Sequence, residues 1–166
     1  MVDPAAIAIR AAAADDAAAI WAVLEPVFRA GETYAVARDI GRDDALSRWF
    51  APGHEVFVAA GHDGVAGTYY LRANHAGGGD HVANAGFATA THAQGRGVAR
   101  RMLEHSLARA AARGFRAMQF NFVVATNVRA VDTWTRHGFA TVGRLPQAFR
   151  HPTLGFVDAL VMHRTL

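Results

Sequence analysis

A chain of 166 residues, 52% of them apolar and only 19% charged, is long enough to bury a sizeable core as one domain, which excludes a disordered polymer. Its net charge of +3 rests on 17 arginines scattered without a block and on no lysine, so it reads as attraction for a small anion rather than as a nucleic-acid surface. No apolar stretch approaches the roughly 20 residues that span a bilayer, and the absence of cysteine removes disulfides, thiolate metal sites and cysteine nucleophiles together.

Asp3 and Pro4 precede the first apolar run with no basic region ahead of it, which argues against a secretory signal and for the cytoplasm. Residues 7–10 form a short β-like run. Asp15 and Asp16 stand where they would cap a helix over 17–29, whose Ile20, Val23, Leu24, Val27 and Phe28 share one face. Gly31 ends it, and a polar connection leads to a second helix over 43–50, closed by Pro52 and Gly53. Strands are predicted over 55–60 and 65–73, joined by a turn at His62-Asp63-Gly64, and over 81–89 after a Gly-rich loop. The clearest helix runs over 97–113, with Val98, Met102, Leu103, Leu107 and Ala110 as its apolar stripe and Gly114 beyond its end. A strand over 116–124, a helix over 128–137 capped by Asn127, and strands over 139–143 and 156–163 complete the chain. The last two are joined by a loop holding Pro146 and Pro152. The order is β-α-α-β-β-β-α-β-α-β-β, one α/β domain over 1–166.

The segment Gln94-Gly95-Arg96-Gly97-Val98-Ala99 lies between a strand and the strongest helix. Its glycines let backbone approach a ligand, and the first helical N–H groups, which have no internal partner, suit a pyrophosphate. Arg96, Arg100 and Arg101 add charge there. The plainer alternative is an ordinary Gly-rich helix start with surface arginines; neither the P-loop nor the dinucleotide pattern fits.

Gln94, Gly97 and Ala99 match the pattern Gln/Arg-x-x-Gly-x-Gly/Ala, and Asn127, Ala130, Trp134, Gly138 and Phe139 match a second pattern at the expected spacing. On these residues and on its element order, nearly the whole chain resembles the GNAT superfamily of acyl-CoA-dependent N-acetyltransferases. The resemblance implies a mixed, mostly antiparallel twisted sheet of about seven strands, helices on both faces, and a V-shaped splay between the fourth and fifth strands. Acetyl-CoA would lie in that splay. Phe87 and Thr89 would offer backbone groups to its pantetheine arm, residues 94–100 (Gln94, Gly95, Arg96, Gly97, Val98, Ala99 and Arg100) would hold its pyrophosphate, and Asn127 would hydrogen-bond the arm. A bulge near Asn84 to Phe87 would aim an unpaired N–H at the thioester carbonyl. No metal is expected, and a homodimer is implied by resemblance alone.

Acetyl transfer needs a neutral amine and therefore somewhere to put a proton. The predicted strand over 81–89 holds no Asp or Glu, which leaves Glu32, Asp80 and His81 as candidates, each of which also reads as a solvated loop residue. Trp134 stands where the family carries a tyrosine acid; an indole cannot play that part, and a core position suits it better. Asn84 and Asn121, amides among apolar neighbours, either hold the substrate or satisfy backbone at the splay. The runs around them, with residues 31–34 and 143–149, resemble the GNAT branch that includes fungal acetyltransferases of proline analogues such as azetidine-2-carboxylate. In that branch the matching asparagines bind a small amino acid, so Asn84 and Asn121 are the candidate catalytic residues and a small-molecule amine the expected partner. The rival readings are a GNAT acting on protein N-termini or antibiotics, and an acyl-CoA-binding module without catalysis.

Overall fold

Alternation in the strands and 3.6-residue periodicity in the helices lay eleven elements along residues 7–166, the part of the chain that this computed structural model describes. Asp3 and Pro4 lie outside the described residues. The elements are β1 (Ala8–Ala11), α1 (Ala17–Ala30), α2 (Arg42–Trp49), β2 (Glu55–Gly61), β3 (Gly64–Ala73), β4 (Val82–Thr89), α3 (Val98–Ala112), β5 (Ala117–Val124), α4 (Val128–Arg136), β6 (Ala140–His151) and β7 (Gly155–Thr165). All seven strands join one sheet in the order β1-β2-β3-β4-β5-β7-β6, antiparallel except between β4 and β5.

Strand alternation decides which helix covers which face. The Tyr69 hydroxyl bonds His105 on α3, whereas Thr68, one residue earlier, accepts from the indole of Trp49 on α2. The α3 face carries an aromatic chain: Phe57 stacks on Tyr69, Tyr69 on Phe87, Phe87 meets Phe120 edge-on, and Phe120 stacks on Phe139. Trp134 of α4 joins it at 5.2 Å from Phe87 and 5.1 Å from Phe120. On the opposite face Ile20, Val23, Leu24 and Phe28 of α1 are buried, as their helical spacing requires, and Val27 lies at the margin.

Two local expectations are corrected. Asp16 does not cap α1: its carboxylate accepts from the Ala13 N–H at 2.8 Å and binds Arg10 through both oxygens, tying the helix entry back to β1. The expected loop after residue 143 is instead strand, because β6 continues through Pro146 to His151 with a register break between Leu145 and Phe149. Proline is tolerated there because β6 is the sheet edge, where a missing N–H leaves no ladder bond unmade. At the break Gln147 takes a φ of 50° and donates its N–H to Asp158.

Candidate functional site

The parallel pair β4–β5 is ladder-paired only at Val82↔Ala117 and Ala83↔Met118. Beyond these residues the strands part. The Val82 carbonyl accepts from Asn74 and the Ala90 N–H donates to Ala66, so even-numbered residues of β4 turn their backbone toward β3 and its extension. The His81 carbonyl faces the other way, to the Arg116 N–H. By strict alternation Ala85, Phe87 and Thr89 present backbone N–H and C=O to the gap. The register of β4 with β3 runs unbroken from Ala73↔Ala83 to Gly67↔Thr89, so the expected bulge near Asn84 to Phe87 is absent. Divergence of the neighbouring strand, rather than a bulge, frees the backbone groups. One of them is already used, since the Tyr34 hydroxyl donates to the Phe87 carbonyl at 2.7 Å.

Past the open end of this gap the chain turns through Thr91–Ala93 and Gly97 into α3. Gly97 sits at φ 77°, a conformation that L side chains strain to adopt. The first bond into the helix is Arg101 N–H to Gly97 C=O, so the amides of Val98, Ala99 and Arg100 point out of its N-terminus. Arg96 is exposed beside them, and Arg100 pairs with Glu104 at 3.6 Å. These donors and the positive end of the helix dipole form a surface suited to phosphate.

The gap widens on the α1/α2 face into a cleft of about 340 Å³, bounded by Thr33–Val36, Tyr70, Arg72, Asn84–Phe87, Phe120–Val124, Asn127 and Trp134. Both candidate asparagines line it, and both are partly engaged. Asn84, buried, donates its amide to the Gln119 carbonyl at 2.9 Å across the splay. Asn121 donates to the Asn74 carboxamide oxygen at 2.7 Å and accepts from the Gln119 side chain at 2.9 Å. Asn127 accepts from the Ala130 N–H at 3.4 Å, opening α4 as predicted while still bordering the cleft. Trp134 is buried in the aromatic chain, the core position expected of it.

Glu32, Asp80 and His81 are exposed and none of them lines the cleft, whose lining includes no carboxylate or histidine. Its titratable groups are two phenols and a guanidinium. Burial pushes the Tyr34 phenol well up and raises that of Tyr70, in the second case against the pull of the Arg72 charge; both stay protonated at neutral pH. His54 stacks on Tyr70 at 4.2 Å, and burial lowers its pKa, so the ring behind the phenol is neutral. Its Nδ1 donates to the Trp49 carbonyl, which can only accept. Gly86 makes room for this pair, because a Cβ there would lie 2.5 Å from the Tyr70 ring. Tyr70 and Arg72 escaped the sequence reading, although alternation along the predicted strand over 65–73 puts them with Thr68 on one face. Asn74 and Gln119 carried no local signal; register alone brings them here. Among the described residues no group of three or more His, Asp or Glu is placed to hold a metal ion.

The sequence model of the acetyltransferase (GNAT) family matches residues 17–139. A GCN5-related N-acetyltransferase from Kribbella flavida is 41% identical and superposes with a TM-score of 0.93 over 99% of this chain and 100% of its own. The N-acetyltransferase aca1 of Schizosaccharomyces pombe is 32% identical over 98 residues, 57% of this chain and 46% of that protein; the match thus spans just under half of that relative. A phosphinothricin acetyltransferase from Sinorhizobium meliloti, solved with AcCoA, shares the fold at 20% identity, with a TM-score of 0.84 over 97% of this chain and 89% of that one.

Proposed function

Because the chain belongs to the acetyltransferase (GNAT) family, we propose that it is an N-acetyltransferase acting with acetyl-CoA and that its cleft acetylates the amine of a small molecule. The class favoured is amino acids, proline analogues such as azetidine-2-carboxylate among them. The observation that carries this is the cleft itself: about 340 Å³, continuous with the splay, and walled by neutral amides, phenols and one guanidinium without a carboxylate. That volume suits a small ligand better than a folded protein surface, and a polycationic antibiotic would find no negative charge there.

The residues present fit the co-substrate. The Phe87 N–H and the backbone of Thr89 suit an extended amide-bearing arm docking as an added strand, and Asn127 has amide hydrogens to offer it. Gln94, Gly95, Arg96, Gly97, Val98, Ala99 and Arg100 would hold the pyrophosphate on the exposed amides of α3 and their charge. When bound, acetyl-CoA supplies the activated acyl group and the thiol that leaves.

The chain's own part is to bind, orient and polarise. The Ala85 and Phe87 N–H groups are donors without a partner on β5, placed to polarise a carbonyl in the splay. Asn84 and Asn121 present neutral donors to the acceptor, which keeps its amine from being held as a cation. With no carboxylate or histidine in the lining, the amine's proton leaves to water. Trp134 takes no proton part. In this reading the partners are a small amine and a second copy of the chain, in the cytoplasm, with no role for nucleic acid or membrane. No helix among the described residues is long and apolar enough to cross a membrane.

A screen of amino acids, simple amines and N-terminal peptides, read by thiol release from acetyl-CoA, tests the proposal. Turnover with small amines supports it. Turnover confined to peptides, or none with any amine, overturns it.

A further inference from the structure

Arg72 is the one charged side chain in the cleft lining, and it forms no salt bridge among the described residues. It is half-buried on β3, opposite Asn84 in the register and on the same face as Tyr70. A guanidinium withdrawn from water without an anion is unfavourable, and an anion entering beside it relieves that cost. Its conformation is held: Nη1 donates to the Ala73 and Asn74 carbonyls at 3.2 and 3.3 Å, where β3 ends. Its other neighbour is the Tyr70 phenol, which hydrogen-bonds the guanidinium from within the cleft, and no described carbonyl or carboxylate accepts from Nε or Nη2. The edge formed by Nε and Nη2 is a planar pair of donors, the geometry that takes both oxygens of a carboxylate.

The amides around it are oriented to agree. The carboxamide oxygens of Asn74 and Asn121 are occupied, by Asn121 and Gln119 respectively, and the Gln119 carbonyl is occupied by Asn84. Each NH₂ group has two hydrogens, and only one from Asn84 and one from Asn121 is spent in these bonds. Apart from the Asn84 oxygen, the side chains of this wall thus offer donors and one positive charge, which favours an anion over an ammonium group.

We infer that Arg72 determines acceptor specificity by binding the α-carboxylate of an amino-acid substrate, with Asn84 and Asn121 as flanking neutral donors. The inference rests on the small-amine reading given above and narrows it to acceptors with a free carboxylate. It also divides the labour differently from the sequence expectation: the charge is met by arginine, and the asparagines orient.

The test is steady-state kinetics of the full chain at saturating acetyl-CoA. L-Amino acids and azetidine-2-carboxylate are each compared with the amide and the decarboxylated amine (azetidine for the last). Wild type should prefer the acids. Arg72→Gln should raise KM for an acid by about ten- to hundredfold, as expected for lost hydrogen bonds to a charged group, with kcat much less changed. Its loss with the matched amine should stay within about threefold, and KM for acetyl-CoA should hold. Arg72→Lys should recover only part, because an ammonium keeps the charge but not the planar fork. Equal use of acid and amine by wild type, or equal losses for both in Arg72→Gln, overturns the carboxylate role and leaves small-amine acetylation standing. Turnover with peptides alone overturns both.

Discussion

At position 84 the side chain must donate. The Asn84 amide bridges the splay to the Gln119 carbonyl from a buried site, so its replacements separate size from chemistry. Asn84→Ala removes one hydrogen bond and leaves a carbonyl short of a donor, a cost of about 1–2 kcal/mol. Asn84→Asp keeps the size but sets an acceptor against an acceptor, and burial then disfavours its ionised form. Its stability should fall below that of Asn84→Ala and fall further as pH rises through the range where the acid ionises. Denaturant titrations at pH 5 and pH 8 measure this, and an Asp variant as stable as wild type at both would refute the bridge. Trp134 gives the opposite expectation: Trp134→Phe should keep most of the turnover and lose about 1–3 kcal/mol of stability, because the indole fills space between Phe87 and Phe120. A limb of the pH–rate profile that vanishes with this substitution would show that the indole position matters to proton transfer. Residues of these two kinds were legible to different degrees. Trp134 announces a core role by its place on a helix face, whereas Asn84 leaves two roles open until its partner 35 residues away is known.

Elements were legible wherever apolar periodicity ran uninterrupted, as in α1, α3 and β2 to β5, and least so where a proline met a sheet edge. Pro146 reads as loop because the sequence does not say that β6 lies outermost, where proline costs nothing. At the start of α3, Gly97→Asp should weaken acetyl-CoA binding by well over tenfold, since it adds a negative charge among the outward amides and strains a φ of 77°. Calorimetric titration of the folded variant with CoA measures it, and unchanged affinity would remove the pyrophosphate from this turn. The entry to α1 responds to acid. Asp16 has its pKa lowered from 3.8 to about 2, first by the hydrogen bonds from Arg10 and then by the Ala13 N–H. A depressed carboxylate contributes stability that is present above its unfolded pKa and lost as pH falls through the folded one. Wild type should therefore lose stability between about pH 4 and pH 2, and Asp16→Asn should flatten that limb. At neutral pH the substitution should cost about 1 kcal/mol, because Arg10 is half exposed and screened by water.

Across the whole molecule, the splay between β4 and β5 both opens the cleft and shapes how the sheet is held together. Seven strands in one sheet were expected and are present, but the polar wall of the cleft was hidden, because Asn74 and Asn121 meet from 47 residues apart through strand register. No local pattern encodes such a meeting. The same sheet has two edges, β1 and β6, and exposed apolar side chains gather at the second. Val142, Leu145, Leu154 and Phe156 are exposed on β6 and around the turn into β7. An unpaired edge carrying apolar side chains is a liability unless it is covered. We propose that a second copy presenting the same edge across a twofold axis covers it symmetrically. The expected state in solution is thus a homodimer, and Phe156 is the place to test it, because Arg150 lies over its ring at 5.4 Å. Phe156→Arg removes the apolar ring and sets two guanidinium groups side by side on each subunit, four around the axis. Sedimentation equilibrium at micromolar concentrations should show a dimer for wild type and a shift toward monomer of at least tenfold in the dissociation constant for Phe156→Arg. Circular dichroism should show an unchanged fold, since the substituted side chain is solvent-facing in the single chain. A wild-type monomer at these concentrations, or a dimer indifferent to the substitution, would place the contact elsewhere or nowhere. Because the β6–β7 pair adjoins β5, which carries Asn121, loosening this border should also raise KM for the acceptor before it affects acetyl-CoA.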